Sequence, residues 1–214
     1  MSTAETLSVA ANGYGSAQLA PIPEDLLVKV LEPYSYKGCR YLLDAEYEAT
    51  ATSVFALGNF SIKEPAYIRD TGHFNAAEWV LCFNQLAYSA FAPAILNEQI
   101  PEFRGWSIED YFDYQLPSML IKTTASRFKR PIKSQKFSAR LLCNDFEVID
   151  RTIRYLKIAC TVEFWDEDGG AASGEVELAA LNIPSHPVRK QPHRHDIPTI
   201  DGTRAHQPAG PGAA

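Results

Sequence analysis

YIRDTGHFNAAEWVLCFNQLAYSAFAP, from Tyr67 to Pro93, sets a polar loop directly against an almost wholly apolar segment. Trp79, Val80, Leu81, Phe83, Leu86, Ala87, Ala90 and Phe91 leave little room for a polar face. The segment is therefore expected to be a helix enclosed on most sides, running from Ala76 to Ala92 and stopped at Pro93. Asn75 caps it, and Glu78 three residues later completes a capping-box pattern. The first amides of a helix lack intrahelical partners and carry the positive end of its dipole, so they suit an anion or oxyanion. Gly72 lets the backbone approach a ligand, and His73 is a candidate proton shuttle beside those amides. This combination points to chemistry on a carbonyl.

Outward from the helix, the periodicity changes. Pro23–Glu32 reads as a short helix with Leu26, Leu27, Val30 and Leu31 on one face. In Tyr41–Thr50, Leu43, Ala45, Tyr47 and Ala49 alternate with Asp44, Glu46, Glu48 and Thr50, the two-residue repeat of a half-buried strand. Val54–Ile62 is a second strand. Beyond the long helix, residues 94–115 are irregular or hold short helices, with Ser107, Glu109 and Asp110 marking a helix start. Four further strands are expected at Met119–Phe128, Phe137–Ile149, Ile153–Trp165 and Ala172–Ile183, the last two joined by a hairpin at DEDGG, Asp166–Gly170. Two strands, a long buried helix and four strands give an α+β layer arrangement. That is the element order of a hotdog fold, in which an antiparallel sheet of about six strands wraps the central helix.

A chain of 214 residues with 46% hydrophobic residues can bury one sizeable core. Residues 1–20 and 185–214 read as disordered tails, leaving one domain at 21–184. A net charge of −6 argues against nucleic acid as a partner. Cys39, Cys82, Cys143 and Cys160 form no CxxC pair and read as buried free thiols. No signal peptide or membrane-spanning run is evident, so a cytoplasmic location is expected. His186, His193, His195 and His206 in the C-terminal tail match no metal-ligand spacing, and no metal site is expected.

Several blocks together resemble the bacterial FcoT-type fatty-acyl thioesterases. They are LEPYSYKGCRYLLDA at Leu31–Ala45, YIRDTGHFNA at Tyr67–Ala76, CFNQLAYSAFAPAILNE at Cys82–Glu98, KFSARLLC at Lys136–Cys143 and EFWDEDGGAASGEVELAALNIP at Glu163–Pro184. The resemblance implies a hotdog fold, a homodimer and active sites at the subunit interface. It implies either a long-chain acyl-CoA thioesterase or a dual-function enzyme. The latter adds glycine to the β-carbon of a 2-enoyl thioester and then hydrolyses it, releasing an N-carboxymethyl-3-amino acid for isonitrile lipopeptide or macrolactam synthesis. The substrates would be glycine and an enoyl thioester of CoA or an acyl carrier protein, with no separate cofactor. In such relatives the loop matching Tyr67–Asn75 holds the glycine end, and its key histidine is His73 here. By the same resemblance Tyr34, Tyr67, Asn75 and Asn84 are substrate-binding positions, and with them the loop residues Ile68, Arg69, Gly72, Phe74 and Ala76.

The residues themselves favour histidine as the base. The middle of the helix offers Asn84 and Gln85, which cannot take a proton near neutrality, and Glu78 is already explained as a cap. Amides around Asn75 and Ala76 would face an oxyanion, and loop amides, the Tyr67 hydroxyl or Arg69 would hold the glycine carboxylate. Plainer readings stand beside these. Tyr34 and Tyr67 are equally packed phenols with satisfied hydroxyls, and the partner of Asn84 is either substrate or a neighbouring strand. Arg127, Lys129, Arg130, Lys133 and Lys136 are a contact for CoA or carrier-protein phosphate, or else a solvated hairpin loop. A hotdog hydratase and a non-catalytic carrier-binding module are the remaining alternatives.

Overall fold

The two-residue alternation does form a strand, but with its faces shifted by a bulge. In the computed structural model, which describes residues 19–184, strand β2 runs Leu42–Ala49. Its pairing with β3 (Val54–Phe60) slips between Leu42 and Asp44. The extra residue turns Leu42 into the core and leaves Leu43 52% exposed, reversing the facing expected for Leu43. Ala45 and Tyr47 point inward as expected. Ahead of β2, Ala20 and Pro21 add a two-residue strand, β1, opposite Tyr47 and Glu46, and Ala20 falls within the tail expected at 1–20. The rest of both expected tails, with the four tail histidines, lies outside the described residues.

Helix α1 (Glu24–Val30) and the single turn α2 (Glu32–Ser35) precede β2. The central helix, α3, spans Ala76–Leu96 and so continues past Pro93. Proline removes one donor to the carbonyl four residues back, which costs a single hydrogen bond near the helix end. Burial offsets it: Pro93, Ala94 and Ile95 are inside the core, and the Pro93 carbonyl accepts from Asn97 N–H at 3.0 Å. By length and composition α3 is able to cross a membrane, but 78% of its apolar window is buried within the fold, so it is a core helix. Helix α4 (Ile108–Ser118) starts at the expected place, and Ser107 and Asp110 form a capping box there. It is tied to α3 by the Tyr111 hydroxyl, which donates to the Tyr88 carbonyl at 2.7 Å.

Strands β4 (Met119–Arg130), β5 (Phe137–Asp150), β6 (Arg154–Trp165) and β7 (Ala171–Ala180) complete one antiparallel sheet of seven strands in the order β1-β2-β3-β5-β6-β7-β4. This is the hotdog arrangement, with α3 packed on the concave face against β2 and β3. Wrapping a sheet round a helix demands close approach. At Gly58 a Cβ would sit 2.8 Å from the Leu42 and Leu86 methyls, and at Gly174 it would collide with the Trp79 indole. Gln85, fully buried on α3, accepts from the Tyr41 and Leu42 amides at 2.8 and 3.0 Å and donates to the Cys39 carbonyl at 2.8 Å. It therefore clamps the start of β2 to the helix. All four cysteines are buried and free.

Because β4 pairs with β7 rather than β5, residues 131–136 are a crossover and not a hairpin loop. The crossover is the platform for the site loop. Its Ile132 carbonyl accepts from Phe74 N–H at 2.9 Å, and its Ser134 carbonyl accepts from Ile62 N–H at 2.8 Å. β4 itself ends the sheet, and its residues beyond Met119 are largely exposed.

Candidate active site

The start of α3 is a full capping box. Asn75 has extended backbone, and its Oδ1 accepts from the amides of Ala77 at 3.0 Å and Glu78 at 3.4 Å. Glu78 reaches back, its Oε2 accepting from Asn75 N–H at 2.8 Å. This narrows the expected oxyanion cluster. The Asn75 amide is occupied, and the Ala76 amide alone among the helix-opening donors has no partner among the described residues. The box satisfies the donors on either side of it.

Glu78 is fully buried, which the sequence pattern of a cap did not indicate. Its Oε1 lies 3.1 Å from the Tyr67 hydroxyl, which is also 2.9 Å from Asn75 Oδ1. A phenol has one proton, so Tyr67 divides it between two acceptors. Burial pushes the Tyr67 phenol up, the Glu78 charge adds to this, and the Asn75 contact opposes it. Tyr67 is thus a neutral donor that braces the helix cap.

The loop before the cap is stitched to itself. Gly72 N–H donates to Asp70 Oδ1 at 3.0 Å, and Thr71 Oγ1 donates to the His73 carbonyl at 3.0 Å. Gly72 has φ of +76°, a conformation in which a side chain is strained. His73 Nδ1 lies 3.1 Å from the Thr71 carbonyl oxygen. A carbonyl only accepts, so Nδ1 carries the hydrogen of the neutral ring and Nε2 keeps its lone pair. His73 lines an open cavity of about 400 Å³ with Phe74, Asn75, Ala76, Phe128, Lys129, Arg130 and Pro131. A proton acceptor and an uncommitted amide donor thus share one cavity.

Other expected site residues are placed differently. Ile68 and Arg69 are exposed and line neither this cavity nor the second one. Gly72 and Asp70 line that second cavity, with residues 133–136 and the β6–β7 turn. Phe74 lines the first cavity, while its ring is buried against Phe137 and Phe164 at centroid distances of 4.8 and 4.9 Å. It anchors the loop. Tyr34, on α2, is buried, and its phenol has the Asn84 side chain as a hydrogen-bonding neighbour. Burial holds that phenol far above its ordinary range. Asn84 stands eight residues beyond Ala76, about 12 Å along the axis, so neither Tyr34 nor Asn84 belongs to the His73 cavity. Between them runs the incompletely covered stripe of α3: Ala76, Ala77, Val80, Leu81 and Asn84.

The expected basic cluster is divided. Lys133 pairs with Asp168 at 2.6 Å and Lys136 with Glu167 at 2.6 Å, both in the β6–β7 turn. The same turn is organised by Asp166, which accepts from the amides of Lys133, Asp168 and Gly170. Arg127 is exposed on β4 and is not among the residues that line the cavity. Lys129 and Arg130 instead line the His73 cavity, a convergence that sequence spacing did not indicate. Among the described residues no group of three potential ligands is arranged for a metal ion.

A family model described as the FcoT-like thioesterase domain matches residues 29–180. The chain is 66% identical over 184 residues to a (2E)-enoyl-[ACP] glycyltransferase of Mycobacterium marinum, covering 86% of this chain and all of that one. It is 69% identical over 169 residues to a protein of the same name from Mycobacterium tuberculosis, covering 79% of this chain and 92% of the relative. A third, from Streptomyces coeruleorubidus, is 34% identical over 166 residues, covering 75% of this chain and 98% of the relative.

Proposed function

Because the chain belongs to the FcoT-like thioesterase family, we propose that it adds glycine to the β-carbon of a 2-enoyl thioester on an acyl carrier protein and then hydrolyses the thioester. The mycobacterial relatives named (2E)-enoyl-[ACP] glycyltransferases support the substrate pair. The observation that carries the chemistry is the His73 ring. Its Nδ1–H is held by the Thr71 carbonyl, its Nε2 has no partner among the described residues, and His73 and Ala76 line the same cavity.

In the first step Nε2 takes a proton from the glycine ammonium. The amine lone pair forms a bond to Cβ, and the alkene electrons move through Cα to the thioester oxygen. The Ala76 N–H faces that enolate oxygen. The imidazolium returns its proton to Cα. In the second step Nε2 takes a proton from water as its oxygen bonds to the thioester carbon, and the tetrahedral oxyanion meets the same N–H. Collapse breaks the C–S bond, and the imidazolium protonates the leaving thiolate. The product is an N-carboxymethyl-3-amino fatty acid. Every step moves protons and electron pairs among His73, glycine, water and the thioester, so no further cofactor is invoked.

The partly covered stripe through Val80 and Leu81 supports an acyl-chain path from the cavity toward Asn84 and Tyr34. The open β4 edge supports a homodimer formed by pairing that strand across two chains. The test is incubation with a 2-enoyl carrier-protein thioester, with and without glycine, followed by mass spectrometry. A glycine-dependent N-carboxymethyl-3-amino acid is expected. Free enoic acid alone, formed at a rate indifferent to glycine, sinks the reading and leaves a simple thioesterase.

A further inference from the structure

Lys122 and Lys129 are the two residues of β4 that its pairing with β7 leaves over, and of these Lys129 lines the His73 cavity. Phe128 pairs with Ala172 and Arg130 with Ala171, so Lys129 is the extra residue of a β-bulge. A bulge bends a strand and re-aims a side chain, here beside a cavity that also holds His73 and the Ala76 amide. The ammonium has no ion pair or hydrogen bond among the described residues. By contrast Lys122, Lys133, Lys136 and Lys157 are each paired with a carboxylate. Arg130 adds a second positive charge next door, with its guanidinium lying along the β6–β7 turn, 3.7 Å from where a Gly169 Cβ would sit. Two adjacent cations at a cavity wall, one of them presented on a bulge, favour an anion there.

We propose that Lys129 is the seat of the amine donor's carboxylate. This rests on the glycine-adding reading and supplies the carboxylate partner that the loop lacks. The Tyr67 hydroxyl is committed to Asn75 and Glu78, and Arg69 does not line the cavity. Size separates the carboxylate from the other anion available, the phosphate of a pantetheine arm. A sphere of the cavity's volume is about 9 Å across. In glycine the amine and the carboxylate oxygens are about 3 Å apart, so both fit inside with the amine at His73. An extended pantetheine arm puts its phosphate about 15 Å from the thioester sulfur, well beyond a wall of the cavity in which the thioester reacts. Charge on the donor thus sets orientation. With its carboxylate held at Lys129, glycine presents its nitrogen to Nε2 and to Cβ.

The test uses the full chain and a 2-enoyl thioester of N-acetylcysteamine, which carries no phosphate. Lys129→Met is expected to lower kcat/KM for glycine about tenfold or more, the loss of one charge-assisted hydrogen bond. With glycinamide as donor, wild type and variant are expected to react equally. An unchanged circular dichroism spectrum and thermal midpoint report that the variant is folded. The proposal is overturned if glycine dependence is unchanged while KM rises only for CoA or carrier-protein thioesters, which would make Lys129 a phosphate contact. It is equally overturned if none of these constants moves. A wild-type enzyme that hydrolyses but forms no glycine adduct fails one stage earlier, and takes the parent reading down with it before any variant is compared.

Discussion

Replacing Glu78 by alanine removes the group on which the site's frame depends. In the folded chain its carboxylate accepts from the Asn75 amide at 2.8 Å and from the Tyr67 hydroxyl at 3.1 Å, with no exposure to water. Loss of a charge-assisted acceptor for a partly buried amide costs about 1.5–3 kcal/mol. The vacated space adds about 1 kcal/mol. Tyr67 keeps Asn75 Oδ1 as an acceptor, so its loss is smaller. The total is about 3 kcal/mol, or a fall in Tm of roughly 6–12 °C for a fold of this size. Glu78→Gln retains a carbonyl for the Asn75 amide and turns its NH₂ to the Tyr67 oxygen, so about 1 kcal/mol is expected. Urea denaturation at fixed protein concentration measures both. A Glu78→Ala loss below about 1 kcal/mol, or equal losses in the two variants, would refute the bracing role drawn from these contacts.

Gly174→Ala is expected to destabilise by about 3 kcal/mol, because its Cβ would meet the Trp79 indole and the Ala125 carbonyl; an unchanged urea midpoint would contradict the packing described. Burial raises the phenols of Tyr34, Tyr88 and Tyr111. The fold therefore favours their neutral forms. Their contribution is fully present below the ordinary phenol value of 10.0 and is lost as pH rises above it. Tyrosinate absorbance should show these residues ionising only as circular dichroism reports unfolding; early, complete ionisation in the folded state would count against their burial.

The extent to which the sequence foretold this molecule depends on how local each feature is. The capping box at Asn75 and Glu78 spans four residues and was legible, as were the Ser107 cap and the Asp166–Gly170 turn. Leu43 was misplaced because a bulge is decided by pairing with β3, which alternation alone does not encode. Pro93 did not end the helix because tertiary burial outweighed one missing donor. At the site, the position of His73 just before the helix start was legible from the loop, whereas Gly72 lines the second cavity and not that of His73. The meeting of Lys129 with His73 was not, because it needs β4 to pair with β7 and the crossover to pass under the loop. The separation of Tyr34 and Asn84 from His73 follows from helix geometry once the helix is known to be continuous.

The central claim is that one base, His73, serves both chemical steps. Single-turnover assays on His73→Ala test it with two substrates: a 2-enoyl carrier-protein thioester plus glycine, and the preformed N-carboxymethyl-3-aminoacyl thioester. The account predicts a loss of about 10²-fold or more in both reactions, with thermal stability near wild type because the His73 side chain is exposed. Loss of addition with hydrolysis of the preformed adduct intact, or the reverse, would contradict a shared base.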